Sequence, residues 1–497
     1  MKKKKNGFGS ALGFILAAAG SAVGLGNLWR FPAETAKNGG AAFVLLYIVC
    51  VLLIGFVTMM CEFHIGRRAA ANPVSAYKKV HPAIGWFGLC GVAIPAFIIC
   101  YYGVLGGYTI KYTSAAFAGN AGILKDFSSS TWQVVLFTAL FMLLAVAIIM
   151  AGVKSGIEKM SKILMPSLFL ILIAVAIYSL CLGDAREGLA FFLKPDFSKI
   201  SFASVLAAMG QAFFSLSLGM GTMIAYGSYT GKEINMVKST GMICIFDTLV
   251  ALLAGLAIFP AVSHFAPEKL APGAKVPQGL TLMFDILPQV FDSMGGVGIV
   301  VSFFFYAMVT IAALTSVVSL VEVVTQFIIQ RFRVRRTVAA VSVALVCLAV
   351  SIPVGISLGS EIAGDLRLAI GSLNLLDFFD AVTNIVLMPV CAFFACFVIG
   401  WIIGPRRAMD EMEEGTTRLG FLRRIFPLLV RYLTPALILV VEVGGVVDNL
   451  KGGNWQVVVA AYVLVAVIAI AYFAFFKNSD TGDNSIEEVA EEPSKSE

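Results

Sequence analysis

Charge is scarce in this chain: of 497 residues only 13% are Asp, Glu, Lys or Arg, while 59% are hydrophobic. A soluble domain carries about twice that share of charge, so a water-soluble globule of this length is excluded. Histidine is nearly absent, with three scattered residues, His64, His81 and His264. The nine cysteines lie singly, mostly inside apolar runs, with no CxxC pair. These patterns offer neither the ligand spacing of a metal centre nor a disulfide framework. A phosphate loop is missing too, because the GK of residues 231–233 (GKE) lacks the upstream glycine and the following Ser/Thr. With no His-Glu-x-x-His, the chain reads as no enzyme, and no organic cofactor is implied.

What is present is a succession of apolar runs, each about 20 residues or longer. They begin near Ala11, Ala41, Trp86, Trp132, Ile157, Ser204, Met236, Gly296, Val338, Leu375, Phe421 and Trp455. The expectation is an all-α polytopic membrane protein with about twelve transmembrane helices. The net charge of +6 reports topology rather than a nucleic-acid partner. Lys2 to Lys5, Arg67 and Arg68, Lys78 and Lys79, Lys154, Lys159 and Lys162, Arg331 to Arg336 and Arg406 to Arg424 fall in alternate loops. The opposite loops, such as 184–199 and 361–367, mix acids and bases. By the positive-inside rule the basic side is the cytoplasm and holds both termini. The start of the chain resembles a signal peptide but lacks a cleavage context, since its apolar run continues into residues 20–32. Residues from Asn478 are acidic and without aromatics, and read as a disordered cytoplasmic tail.

Two spans carry glycine-rich interruptions at mid-length: residues 20–27 (GSAVGLGN) and 215–222 (SLSLGMGT). Broken backbone is tolerated at membrane depth only where the freed N–H and C=O groups face a cavity or a ligand. Close helix packing or a simple kink is the alternative for either break alone. Together they open two sets of five spans, and an odd number of spans inverts the second set relative to the first. Such repeats place a binding site at their interface, with half-helix ends aimed into it. The boundaries are then a cytoplasmic N-terminus (1–10), a first repeat (11–183), a second repeat (184–404), two further helices (405–477) and the tail (478–497).

Ionisable residues in apolar runs cost about 2.5–3.5 kcal/mol each at a helix centre and are functional candidates by default. Glu62, Asp247, Glu322 and Glu442 lie in or near such runs, with Arg30, Asp377 and Asp380 near run ends; for Glu442 a headgroup or aqueous position is the favoured reading. Without a nucleotide site, work must come from an ion gradient. A hard monovalent cation wants oxygen ligands, and Asn27, Ser215, Asp247, Thr315 and Ser316 supply them beside the breaks and in the seventh and eighth spans.

Residues 20–32 (GSAVGLGNLWRFP), followed by residues 38–40 (NGG), resemble the first-helix signature of the neurotransmitter:sodium symporters, and more closely that of their bacterial amino-acid transporters of leucine-transporter-like fold. Tyr101 and Tyr102, residues 211–221 (QAFFSLSLGMG), residues 247–260 and residues 312–316 (AALTS) extend the resemblance over nearly the whole chain. It implies two sodium sites. The first would use the Ala22 carbonyl, Asn27, Ser215, Asp247 and the substrate's own carboxylate; the second would use the carbonyls of Gly20, Val23 and Ala312 and the hydroxyls of Thr315 and Ser316.

By the same resemblance the substrate carboxylate meets backbone N–H groups at Leu25 and Gly26 and the Tyr102 hydroxyl. Its ammonium meets carbonyls near Ala22 and Phe214, and the Ser217 hydroxyl. Monoamine members carry an aspartate where this chain has Gly24, so glycine favours a true amino acid. The side-chain pocket would be Ile98, Leu105, Phe214, Met220, Ser316 and Leu320, which suits a hydrophobic or aromatic residue. Tyr102 and Phe214 would form a lid, with Arg30 and Asp380, or alternatively Asp377, as the outer gate. Lys5, Phe8, Ser228 and Tyr229 match the inner gate, although the usual acid at the end of the eighth span is Gln330. The Gly156-x9-Pro166 spacing resembles an element whose unwinding admits water to the second sodium; an ordinary proline kink is the alternative.

Asp247 stands where chloride-dependent relatives have asparagine, which implies transport without chloride. Without sodium this buried acid should take up a proton and carry it outward. The leading expectation is sodium-coupled import of an amino acid across the cytoplasmic membrane by alternating access. A membrane sensor that binds an amino acid without moving it, and a carrier of a small polar substrate such as glycine or a betaine, are the other readings. Sodium, an amino acid and the lipid bilayer are the expected partners.

Overall fold

The computed structural model of the chain describes residues 7–117, 127, 130–265, 267, 283–284, 287–358, 369–414 and 420–477. Lys5, the tail from Asn478 and the loop 361–367 lie outside the described residues. Among the described residues, ten helices are long and apolar enough to cross a bilayer: Ala41–Ala69, Pro82–Ala116, Thr131–Met150, Val153–Leu180, Met236–His264, Gly296–Phe332, Arg336–Ile356, Leu375–Ile403, Gly420–Lys451 and Trp455–Phe476. These are the second to fifth and seventh to twelfth spans. The first span is a pair, Ala11–Ala22 and Gly26–Lys37, bent by 51° at its break. The sixth is also a pair, Phe202–Ser215 and Thr222–Ser228, whose halves are each too short to cross alone. The architecture is the all-α inverted repeat with discontinuous first and sixth spans, followed by two more helices.

Local chemistry explains where the broken spans start and stop. Ser10 caps the first helix, its hydroxyl accepting from the Gly13 N–H at 3.0 Å. That helix ends where Val23 turns extended, at φ −72° and ψ 104°, and the chain re-enters helix through a π-helical turn, Gly26–Arg30. In the sixth span Ser201 and Ser204 form a reciprocal capping box, which satisfies two otherwise orphaned donors. Its break contains three left-handed residues, Ser217, Gly219 and Gly221. At Gly219 a side chain is doubly excluded, since φ is +73° and a Cβ would come within 2.3 Å of the Met388 carbonyl oxygen. The breaks of the first and sixth spans face each other in the buried centre of the molecule.

Among the described residues one large hydrophobic core runs through the bundle, with Ile258 and Val262 as a small separate cluster, while large apolar side chains such as Leu143, Leu170, Val346 and Ile470 are exposed on the periphery. That inverted pattern is what a lipid solvent permits.

A candidate ion and substrate site at the two helix breaks

Asp247, from the seventh span, has no exposure to solvent, and neither do Asn27, Ser215 and Tyr47 around it. Asn27 Nδ2 donates to Asp247 Oδ1 at 2.8 Å and to Ser215 Oγ at 2.9 Å. Ser215 Oγ lies 2.8 Å from Asp247 Oδ2, to which it donates, and Tyr47 Oη donates to the same oxygen at 2.9 Å. A buried carboxylate is stable only when its oxygens are paired in this way. Four spans thus converge on one carboxyl group. Tyr47 was missed in the sequence: one tyrosine in an apolar second span gives no periodic signal, although its hydroxyl needs a partner when buried.

The second predicted cluster lies between the first and eighth spans. Ser316 Oγ is 3.1 Å from the Ser21 carbonyl oxygen and 3.3 Å from that of Val23. Thr315 Oγ1 donates to the Ala312 carbonyl at 2.9 Å. Gly20 lies against Thr315 and Met165, whose Cβ and Sδ stand 3.4 and 3.3 Å from the position of a glycine Cβ. Carbonyls freed by the break and two hydroxyls therefore share one buried corner. All-oxygen sets of this kind, built from unwound backbone, suit sodium.

Gly24 separates the two clusters. A Cβ there would sit 2.4 Å from Ser316 Oγ and 2.8 Å from Tyr102 Oη, so no side chain fits without displacing them. Tyr102 Oη accepts from the Leu25 N–H at 3.2 Å. The Gly26 backbone packs under Phe214, whose ring would stand 2.9 Å from a Cβ on Gly26. Ser217 Oγ donates to the Ser21 carbonyl at 2.9 Å. Ile98, Leu105, Met220 and Leu320 are buried, and with Phe214 they give the site an apolar character. Two supporting contacts satisfy groups that the breaks release. Gln211 Nε2 donates to the Gly26 carbonyl at 2.9 Å, and Glu62 Oε1 accepts from the Gly219 N–H at 2.7 Å. Glu62 was signalled in the sequence as an acid in an apolar run, whereas Gln211 stood there only as part of the 211–221 motif.

On the side away from the N-terminus, the Arg30 guanidinium lies 4.9 Å from the centroid of the Phe214 ring and 3.7 Å from Asp380 Oδ2. Tyr101 Oη and Asn384 Nδ2 hold Asp380 Oδ1 at 2.9 and 2.6 Å. Asp377 is engaged elsewhere, with Asn374, at the start of its helix.

On the N-terminal side, Phe8 N donates to the Tyr229 carbonyl at 3.3 Å, and its ring packs edge-on against Phe14, Tyr226 and Tyr229. Gln326 Nε2 donates to Ser228 Oγ at 2.8 Å. Tyr229 Oη donates to Glu322 Oε1 at 2.6 Å, and Arg336 pairs with the other oxygen of that fully buried acid. Gln330 accepts instead from the Asn72 backbone and side chain, at 2.9 and 2.6 Å. The ion pair beside Tyr229 is therefore Glu322 with Arg336, one residue deep in an apolar run and the other hidden in a cluster of surface-type arginines. Glu442, by contrast, meets Tyr462 Oη at 3.0 Å on the periphery, between the last two spans.

The model of the sodium:neurotransmitter symporter family matches residues 5–122 and 121–477. The chain belongs to this family. A sodium-dependent transporter of Bacillus subtilis (YhdH) is 35% identical over 448 residues, covering 87% of the chain and 96% of the relative. A sodium-dependent transporter of Haemophilus influenzae is 32% identical, covering 88% and 98%. Among solved structures, that of MhsT in complex with L-phenylalanine is 37% identical, covers 89% of the chain and 100% of its own, and superposes with a TM-score of 0.80. The chain is a sodium-dependent, multi-pass membrane transporter of the symporter family.

Proposed function

We propose that this symporter imports an amino acid with a hydrophobic or aromatic side chain, coupled to sodium at two sites and independent of chloride. The observation that carries the reading is the closure around Gly24: with Ser316 and Tyr102 so near, that position has no room for a side-chain carboxylate. The substrate must bring that charge, beside the N–H groups at the start of Gly26–Arg30, where a half-helix N-terminus favours an anion. The first sodium would be shared by Ala22, Asn27, Ser215, Asp247 and the substrate carboxylate, so that each ligand strengthens the other's binding. The second would sit among Gly20, Val23, Ala312, Thr315 and Ser316. The apolar lining and the L-phenylalanine seen in MhsT both support a large apolar side chain.

With sodium bound, the Asp247 carboxylate supplies locally the negative charge that a chloride ion would. The sodium- and chloride-dependent taurine transporter of dog is only 25% identical, leaving room for that difference. Proton release by Asp247 upon sodium binding, and its uptake on return, would make the empty carrier's charge movement small. Arg30 with Asp380 closes the outer side and Phe8, Ser228, Tyr229 and Glu322 the inner, with both termini in the cytoplasm. Alternation between these closures is the transport step.

The test is uptake of labelled amino acids into proteoliposomes under an inward sodium gradient, with potassium replacement as control and gluconate in place of chloride. Accumulation of large apolar amino acids that needs sodium and ignores chloride is the expected result. Sodium-dependent binding without accumulation would favour a sensor, and loss of uptake in gluconate would end the chloride-independent reading.

A further inference from the structure

Glu158 stands where the fifth span passes from a π-helical turn, Val153–Glu158, into the α-helix Lys159–Leu180. Its side chain is only 4% exposed, and nothing in the site just described uses it. Gly9 N donates to Oε2 at 2.6 Å, while Ser10 Oγ and Lys162 Nζ donate to Oε1 at 3.1 and 2.6 Å. Two of these three donors belong to the segment that leads into the first span. The first turn of that span is shaped around the same carboxylate: a Cβ at Gly13 would fall 2.1 Å from Glu158 Oε1 and 2.4 Å from its Cδ.

The partners divide into a permanent one and a releasable pair. Lys162 lies one turn along the same helix, so its bond to the carboxylate does not depend on the leading segment. The Gly9 N–H and the Ser10 hydroxyl leave together when that segment lifts, and water can take their places. The enclosed form therefore relies on those two bonds, because an enclosed carboxylate must be fully bonded, while the opened form strands no charge. Phe8, next to Gly9, is the ring that packs among Phe14, Tyr226 and Tyr229, so its position follows the same segment.

We propose that Glu158 is a latch between the amino-terminal segment and the fifth span, which sets the balance between the closed and open forms of the face that segment covers. Glu158 is a positioning residue, and the inference rests on the alternating-access reading above.

The latch can be tested without transport, by electron–electron distance measurements in nanodiscs with sodium. Spin labels go on cysteines introduced at Leu12 and Ile163, which are 58% and 61% exposed, in a Cys181→Ser background that removes the exposed native thiol. The parent should give one short-distance population. Glu158→Ala should add a longer one and raise the open-to-closed ratio about tenfold, as expected for loss of a hydrogen bond to a charged acceptor; Glu158→Gln, which keeps the shape, should shift it less. Gly13→Ala should open the latch as Glu158→Ala does, and should add nothing in the Glu158→Ala background. Unchanged distances in both Glu158 variants would overturn the proposal, as would a Gly13→Ala effect that adds in full to Glu158→Ala. Failure of sodium-driven uptake by the parent protein would instead strike the transport reading and leave these distances standing.

Discussion

Replacing Gly24 with alanine tests the centre of the site with a single methyl group. The backbone there is not in the left-handed region, so alanine meets no conformational penalty and its effect is steric. The new Cβ would lie 2.4 Å from Ser316 Oγ and 2.8 Å from Tyr102 Oη, well inside ordinary contact. Ser316 must rotate away from the Ser21 and Val23 carbonyls, and Tyr102 must withdraw from the Leu25 N–H. Two or three hydrogen bonds at about 1 kcal/mol each amount to about 2–3 kcal/mol, or about 30- to 150-fold in affinity. If, as proposed, one hydroxyl serves the second sodium and the other the substrate carboxylate, both affinities should fall together. Equilibrium binding of labelled substrate against a sodium titration reads both. A Gly24→Ala protein that binds sodium and substrate as tightly as the parent, with an unchanged melting temperature, would refute the idea that these hydroxyls converge on the site.

Further outcomes follow from the surrounding charges. Asp247→Asn should weaken sodium binding about tenfold or more and make uptake respond to chloride, measured by gluconate replacement. Asp380→Asn should slow substrate uptake, whereas Asp377→Asn, whose side chain hydrogen-bonds with Asn374 and not with Arg30, should leave it near the parent rate in the same proteoliposomes. Arg336→Met leaves the buried Glu322 without its counter-charge, at a cost of about 3–5 kcal/mol, and should lower the melting temperature measured by intrinsic fluorescence in detergent. Replacing sodium with potassium should lower the parent's melting temperature, by the mass-action term for a ligand that binds only the folded form; no change with sodium concentration would count against sodium sites.

The span pattern was readable because each run meets lipid, where hydropathy and length act on every residue. The breaks were readable for the opposite reason: GSAVGLGN and SLSLGMGT interrupt a pattern that otherwise admits no interruption. Glu322 was visible as an acid in an apolar run, but its partner was not, since Arg336 is one of four arginines near the start of the ninth span and only folding selects it. Glu158 was hidden because it lies among Lys154, Lys159 and Lys162, where a carboxylate looks like one more surface charge. Tyr47 was missed and Gln211 stood only as part of the 211–221 motif, because nothing local indicates that their partners would be Asp247 and the Gly26 carbonyl.

The two breaks satisfy each other, and this bears on how the protein is made. Gln211 Nε2 reaches the Gly26 carbonyl across 185 residues of sequence, and Ser217 Oγ reaches Ser21 across 196. When the first span emerges from the ribosome, the groups that will close its interruption have not been synthesised, and lipid offers none in their place. The nascent first span must therefore wait in a shielded setting, at the insertion machinery or against its early neighbours, until the sixth arrives. Damage to Gln211 or Ser217 should then appear first as a shortage of inserted protein, before any change in what the finished molecules can carry.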